Sequence, residues 1–100
     1  MEPREFFDTL ESRVDATKTA GMNSSYLFEI EGAGTWKVDV ADGKVSVSEG
    51  AADADVTIRT SEETFSAIAS GEQNPTTAYM TGKLKVEGDM GAALKLQKLF

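Results

Sequence analysis

Two pairs of neighbouring acids, Asp53 with Asp55 and Glu62 with Glu63, come nearest to acid–base or metal chemistry in this 100-residue chain. The sequence holds no Cys and no His. Disulfides, thiol nucleophiles, thiolate zinc sites and His-based acid–base or triad catalysis are therefore excluded. Carboxylate-only metal or hydrolase sites remain open, and the two pairs are where they would lie. Asp53 and Asp55 stand at a strand entry, however, and Glu62 and Glu63 in a helix first turn, where acids favour the dipole. Both pairs read as solvated structure. Gly32-x-Gly34 precedes a strand, whereas a phosphate loop needs a helix there, and Gly82-Lys83 lacks the earlier glycine and the following helix of a P-loop. Asn23-Ser24-Ser25 spells a glycosylation sequon and reads as an ordinary turn. No catalytic residue, metal or cofactor is expected, so the chain reads as a non-enzyme.

The elements that must position any site belong to one domain, residues 1–100, because 10.7 kDa leaves no room for two. Hydrophobic residues make up 40 % of the chain and charged residues 27 %, which indicates a folded domain with one core. No run approaches the roughly 18 apolar residues of a membrane span. Met1-Glu2-Pro3-Arg4-Glu5 is no signal peptide, so a cytoplasmic protein is expected. The net charge of −7 repels nucleic acid. That charge is unevenly spread: residues 1–72 hold six bases and fifteen acids, residues 73–100 four bases and two acids. The C-terminal quarter is a different surface.

The segment from Pro3 to about Ala20 reads as a helix, with Phe6, Phe7, Leu10, Val14 and Thr17 within an arc of roughly 100°. Four strands follow, in which Tyr26, Phe28 and Ile30, then Trp36, Val38 and Val40, then Val45 and Val47, then Val56 and Ile58 alternate with wetter residues. Gly32-Ala33-Gly34 closes the first hairpin and Asp42-Gly43 the second, so the four strands read as a meander. Thr60 with Glu63 reads as a capping box, opening a short helix that turns Phe65, Ile68 and Ala69 inward and stops at Gly71. Asn74-Pro75 caps a second short helix carrying Ala78, Tyr79 and Met80. A fifth strand, Lys83 to Glu87, points Leu84 and Val86 inward, and Asp89 caps a last helix running to Phe100. The expected fold is α+β, a five-stranded mostly antiparallel sheet covered on one face by helices, in the order α-β-β-β-β-α-α-β-α.

The last helix is the feature that points to function. From Met90 through Ala92, Ala93, Leu94, Leu96, Leu99 and Phe100 its apolar arc spans roughly 220°. A sheet buries about half such an arc. The rest meets further core, a partner chain, a lipid or an apolar cavity. Gln97 sits within the arc, where its amide needs a partner or water, and Leu99 lies at the far edge, facing a ligand or an opening. Trp36, Phe65, Ile68, Met80, Leu84, Met90 and Leu94 read singly as core. Together they read as a lining, because Met and aromatic residues suit adaptable ligands. Lys83 and Lys85 point outward on one strand, and Lys95 and Lys98 on one helix face. They either greet acidic headgroups or CoA phosphates, or solubilise a hydrophobic end.

The run Tyr79-Met80-Thr81-Gly82-Lys83-Leu84-Lys85-Val86-Glu87-Gly88-Asp89-Met90, continuing through Ala93, Lys95, Leu96 and Gln97, resembles the C-terminal signature of the sterol carrier protein 2 family. Asp42-Gly43-Lys44, then Ala54-Asp55-Val56-Thr57-Ile58, then Gly71 before Asn74-Pro75 agree with it in order, so the resemblance covers essentially the whole chain. It implies a five-stranded sheet with helices over one face and an apolar tunnel between them. It also implies non-enzymatic binding and transfer of fatty acids, acyl-CoAs, sterol-like or isoprenoid lipids. The C-terminus, Lys98-Leu99-Phe100, differs from a peroxisomal Ser-Lys-Leu address, so a prokaryotic-type stand-alone carrier is expected. The alternative is a lipid-binding accessory or docking subunit of a larger lipid- or quinone-metabolism complex. Expected partners are a lipid and a transient membrane or enzyme contact through the C-terminal quarter, without stable membrane insertion.

Overall fold

Period-2 alternation in the middle of the chain builds the expected strands in a computed structural model, which describes residues 3–13 and 21–95. Helix α1 covers Pro3–Arg13, and strands β1, β2, β3 and β4 cover Asn23–Glu31, Gly34–Ala41, Lys44–Glu49 and Val56–Ser61. Helices α2 (Glu62–Ser70) and α3 (Pro75–Met80) precede β5 (Leu84–Gly88) and α4 (Met90–Leu94). Val14, Thr17 and the rest of the expected first helix to Ala20 lie outside the described residues, as does the last helix beyond Lys95. Tyr26, Phe28 and Ile30, Trp36, Val38 and Val40, and Val56 and Ile58 are all buried on one sheet face, as the alternation requires. The fold is α+β with a five-stranded sheet.

The sheet order is β3-β2-β1-β4-β5, which corrects the four-strand meander. Strands β1, β2 and β3 are antiparallel neighbours, but β4 returns across the sheet and pairs parallel to β1. Two contacts account for this. Ser25 and Asp55 exchange hydrogen bonds, Ser25 N–H to the Asp55 carboxylate at 3.0 Å and Asp55 N–H to the Ser25 hydroxyl at 2.9 Å, which pins the start of the parallel pair. The free edge of β3 is also occupied: the Glu11 carboxylate accepts the Val47 N–H at 2.8 Å, and Arg4 pairs with Glu49 at 3.0 Å. An edge covered in this way is not open to another strand.

Two boundaries move by one residue. Thr60 is no cap: it lies in the ladder opposite Leu84, and its hydroxyl donates to the Lys83 carbonyl at 2.9 Å. The cap of α2 is Ser61, whose hydroxyl accepts the Thr64 N–H at 3.1 Å. Strand β5 begins at Leu84 because the Lys83 N–H is spent on the Ala78 carbonyl, closing α3. Asn74 and Asp89 cap α3 and α4 as expected, each accepting two backbone N–H groups. Asp42 takes a positive φ of 50° in the β2–β3 turn, the conformation such two-residue hairpins demand.

Candidate functional site

Six aromatic rings of the described residues fill the layer between the sheet and the helices. Phe6 and Phe7 come from α1, Tyr26 and Phe28 from β1, Trp36 from β2, and Phe65 from α2. Phe7 stacks on Trp36 with centroids 4.8 Å apart and on Phe65 at 5.3 Å, while Phe6 meets Phe65 edge to face at 5.1 Å. The spacing of Phe6, Phe7 and Leu10 puts all three on the buried side of α1, which is why that helix lies on the sheet. Arg4 closes one end, its guanidinium 5.8 Å from the Trp36 ring centroid.

Trp36, Phe65, Ile68 and Leu84 are brought together in this single apolar cluster. Met80 stands apart, 79 % exposed at the end of α3. The side chains of Met90 and Leu94 lie outside the described residues, as do Gln97 and Leu99. Phe6, Phe7 and Phe28 belong to the cluster just as firmly, although only their inward spacing, and no lining role, was read from the sequence. Thr60 is the one buried polar residue besides Tyr26 among the described residues, and each hydroxyl is engaged. Chemically, the layer offers apolar surface.

Tyr26 carries a long-range bond that its inward strand position alone does not reveal. From the middle of β1 its hydroxyl donates to the Ala92 carbonyl at 2.7 Å, joining the sheet to α4. Burial, with Asp55 and Asp89 adding to it and a hydrogen bond to Ser24 opposing, raises its pKa above the ordinary 10.0. Tyr26 therefore stays a donor at neutral pH, and its stabilising contribution is lost only as pH rises above the ordinary 10.0 and through the elevated value. Tyr26→Phe keeps the ring and removes the bond, so a loss of about 1 kcal/mol is expected in denaturant titration. Faster amide exchange confined to residues 91–95 should accompany it. Exchange that quickens uniformly along the sheet would show that the bond does not anchor α4.

The acid pairs do other work. Asp55 holds Ser25, Glu62 and Glu63 are exposed in the first turn of α2, and no group of three acids is set to hold a metal among the described residues. A separate groove of about 830 Å³ opens at the end of the sheet, between the β1–β2 hairpin and the turn before β5. Glu29, Glu31, Arg59, Lys83 and Lys85 line it, with Ile30 and Ala33 its only apolar side chains. It wraps the end of the sheet, where the charged outer face meets Ile30 and Thr60 of the buried face.

The pattern of the SCP-2 sterol transfer family matches residues 6–100. Over a 100-residue alignment the chain is 37 % identical to hydroxysteroid dehydrogenase-like protein 2 of Xenopus tropicalis, covering 96 % of this chain and 24 % of that protein. The chain spans about a quarter of the length of that relative. Among solved structures it superposes on the sec-alkylsulfatase Pisa1 from Pseudomonas sp. with a TM-score of 0.85 at 25 % identity, covering 100 % of this chain and 16 % of the other. It superposes on palmitated SCP2L2 from Aedes aegypti with a TM-score of 0.79 at 25 % identity, covering 99 % and 94 %. A sheet closed by helices over an apolar layer, matched along nearly the whole sequence, places the chain in the SCP-2 sterol transfer family, a lipid-binding fold.

Proposed function

We propose that the chain binds a single long-chain lipid between its sheet and helices and transfers it without chemical change. The observation that carries this reading is the family match over residues 6–100, on a fold whose interlayer is lined by aromatic and aliphatic side chains. The palmitated relative supports a fatty acyl chain as the ligand class. Trp36, Phe65, Ile68 and Leu84 are the lining residues, with Met90, Leu94, Gln97 and Leu99 of the last helix proposed to complete it. Fatty acids, acyl-CoAs and sterol-like or isoprenoid lipids are the candidates to titrate.

Trp36 is the built-in reporter, since it is the only Trp and is buried. Its emission is expected to be that of a buried indole before ligand and to shift or quench as palmitate or palmitoyl-CoA enters. Binding tighter than about 100 μM, or roughly −5.5 kcal/mol, is expected for at least one of them. If neither ligand moves the emission or binds within that range, the carrier reading is wrong.

A second reading is a lipid-binding module of a larger enzyme or complex. Its support is that the chain matches 24 % of one relative and 16 % of one solved enzyme. Native mass spectrometry separates the two: a lipid-sized adduct on a monomer favours the carrier, and a stable hetero-complex the module.

A further inference from the structure

Strand β5 is the last of the sheet, and β4 is its one strand neighbour among the described residues. The Asp89 N–H donates to the Asp55 carbonyl at 3.0 Å just beyond the Val56–Gly88 pair, which fixes the phase of the ladder. Antiparallel residues alternate, so Lys85 and Glu87 also turn their backbone groups toward β4. Val86 and Gly88 turn theirs to the open side. Leu84 is buried, where the Lys83 N–H ties β5 to α3, whereas Val86 is half-buried and Gly88 exposed. An open run of backbone donors and acceptors is a template for another strand. The opposite edge, β3, is closed by Glu11 and Arg4, so any strand pairing happens at β5.

From Lys83 to Asp89 the order is base, apolar, base, apolar, acid, glycine, acid: two bases and two acids with no net charge. Such a segment selects neither an anionic nor a cationic partner. It complements itself when reversed. With a two-fold axis at Val86, Lys85 of each copy faces Glu87 of the other, at the non-hydrogen-bonded positions where side chains come closest. An axis at Lys85 or at Glu87 instead sets like charges face to face, which is destabilising. Within one copy Lys85 stands beside Arg59, a like charge, and no ion pair engages it among the described residues. Arg59 itself is paired with Glu29 and lies 3.6 Å from Glu87. Glu87 of a second copy supplies the counter-charge that Lys85 lacks. Val86 meets Val86 across the axis on the helix side of the sheet, and Gly88, having no side chain, leaves room beside the buried Leu84.

We propose that a second copy of this chain pairs with β5, antiparallel about Val86, joining the two sheets into one. The assembly closes at two, because the pairing is isologous and the β3 edges left at its ends are covered. One short strand from each copy makes the contact, so the dimer is weak and concentration-dependent. It goes beyond the carrier reading and does not rest on it, since palmitate uptake or its absence leaves the edge as it is.

Sedimentation equilibrium of the purified chain from about 10 μM to about 1 mM is the test, with a dissociation constant on the order of 100 μM expected. A monomer mass across that whole range overturns the proposal. Lys85→Glu and Glu87→Lys alter exposed side chains. Each alone should weaken self-association roughly tenfold, because both facing pairs become like-charged. An equimolar mixture of the two variants should regain the parent's affinity, since acid then faces base at both positions. Should the single variants associate as the parent does, or the mixture no better than they do, the strands do not meet in this register and the proposal falls. The Val86 amide should exchange more slowly as concentration rises, while the Lys85 and Glu87 amides, already bonded to β4, should not change. Met80→Ser is the control, because Met80 is the most exposed large apolar side chain of the described residues. A dimer that Met80→Ser dissolves and the charge variants leave intact meets through the end of α3, and the β5 pairing is wrong.

Discussion

Replacing Phe65 with alanine is expected to destabilise the protein by about 3–5 kcal/mol, the range for a buried phenylalanine. Phe65 is 1 % exposed and meets rings from α1 and from β1. Its ring meets Phe6 edge to face at 5.1 Å, stacks with Phe7 at 5.3 Å and lies 6.1 Å from Phe28. It thereby joins α2 to α1 and to the central strand. Each aromatic pair adds about 0.5–1.5 kcal/mol beyond the area buried, so losing three at once places the cost high in the range. Domains of this size have total stabilities of about 5–15 kcal/mol. A midpoint lowered on the order of 20 °C is therefore expected in a thermal melt.

The same substitution bears on lipid binding. If a lipid chain lodges in the interlayer, the space that Phe65 vacates is space the ligand can fill. Palmitate should then raise the melting temperature of Phe65→Ala more than that of the parent, because ligand bound only by the folded state stabilises with the logarithm of its affinity. An unchanged midpoint would remove Phe65 from the core. A lowered midpoint that palmitate cannot raise would mean that the vacated space is closed to lipid, and the lining would need to be sought elsewhere.

Local signals were legible along the chain where one face of one element decides. The alternation through Phe28, Ile30, Trp36, Val38 and Val40, the Asp42-Gly43 turn and the Asn74 and Asp89 caps all depend on neighbours a few residues away. The place of β4 does not. Its pairing with β1 depends on Ser25 meeting Asp55, thirty residues apart in the chain, and on Glu11 occupying the far edge of β3. Leu27 shows the same effect at one side chain. Alternation assigns it to the wet face, yet it is buried, because β1 is central and Lys37 and Thr57 flank it in the ladder.

The inward strand positions Trp36 and Leu84 and the helix positions Phe65 and Ile68 were legible as buried because periodicity extends through them. The exposure of Met80 was not legible, since α3 has six residues and so short a helix shows no stripe. Tyr26 was legible as buried but not as the bond to Ala92, since a hydroxyl's partner 66 residues away leaves no mark on local pattern.

Gly88→Ala is the substitution expected to cost most for its size, about 4–5 kcal/mol, a loss seen only when a specific mechanism acts. Gly88 stands opposite Val56 at the end of the β4–β5 ladder, with φ at +112°. A Cβ there would lie 2.2 Å from the Asp55 carbonyl oxygen and 3.2 Å from the Val56 Cα, so backbone must move. The backbone in question carries three links. Asp55 holds Ser25 at the start of the parallel pair, its carbonyl accepts the Asp89 N–H at 3.0 Å, and Asp89 caps α4 through Gly91 and Ala92. Gly50 supplies the comparison, because its φ is +115° but a Cβ there meets nothing within 4 Å. Gly50→Ala should show the conformational cost alone, about 1–3 kcal/mol. The clash at Gly88 should add roughly 2 kcal/mol, with faster amide exchange across residues 84–92. Denaturant titration of the two variants decides the matter. Equal losses would mean that the β5–α4 junction yields without strain, and that Asp55 is not the post on which the two parallel strands and the last helix are hung.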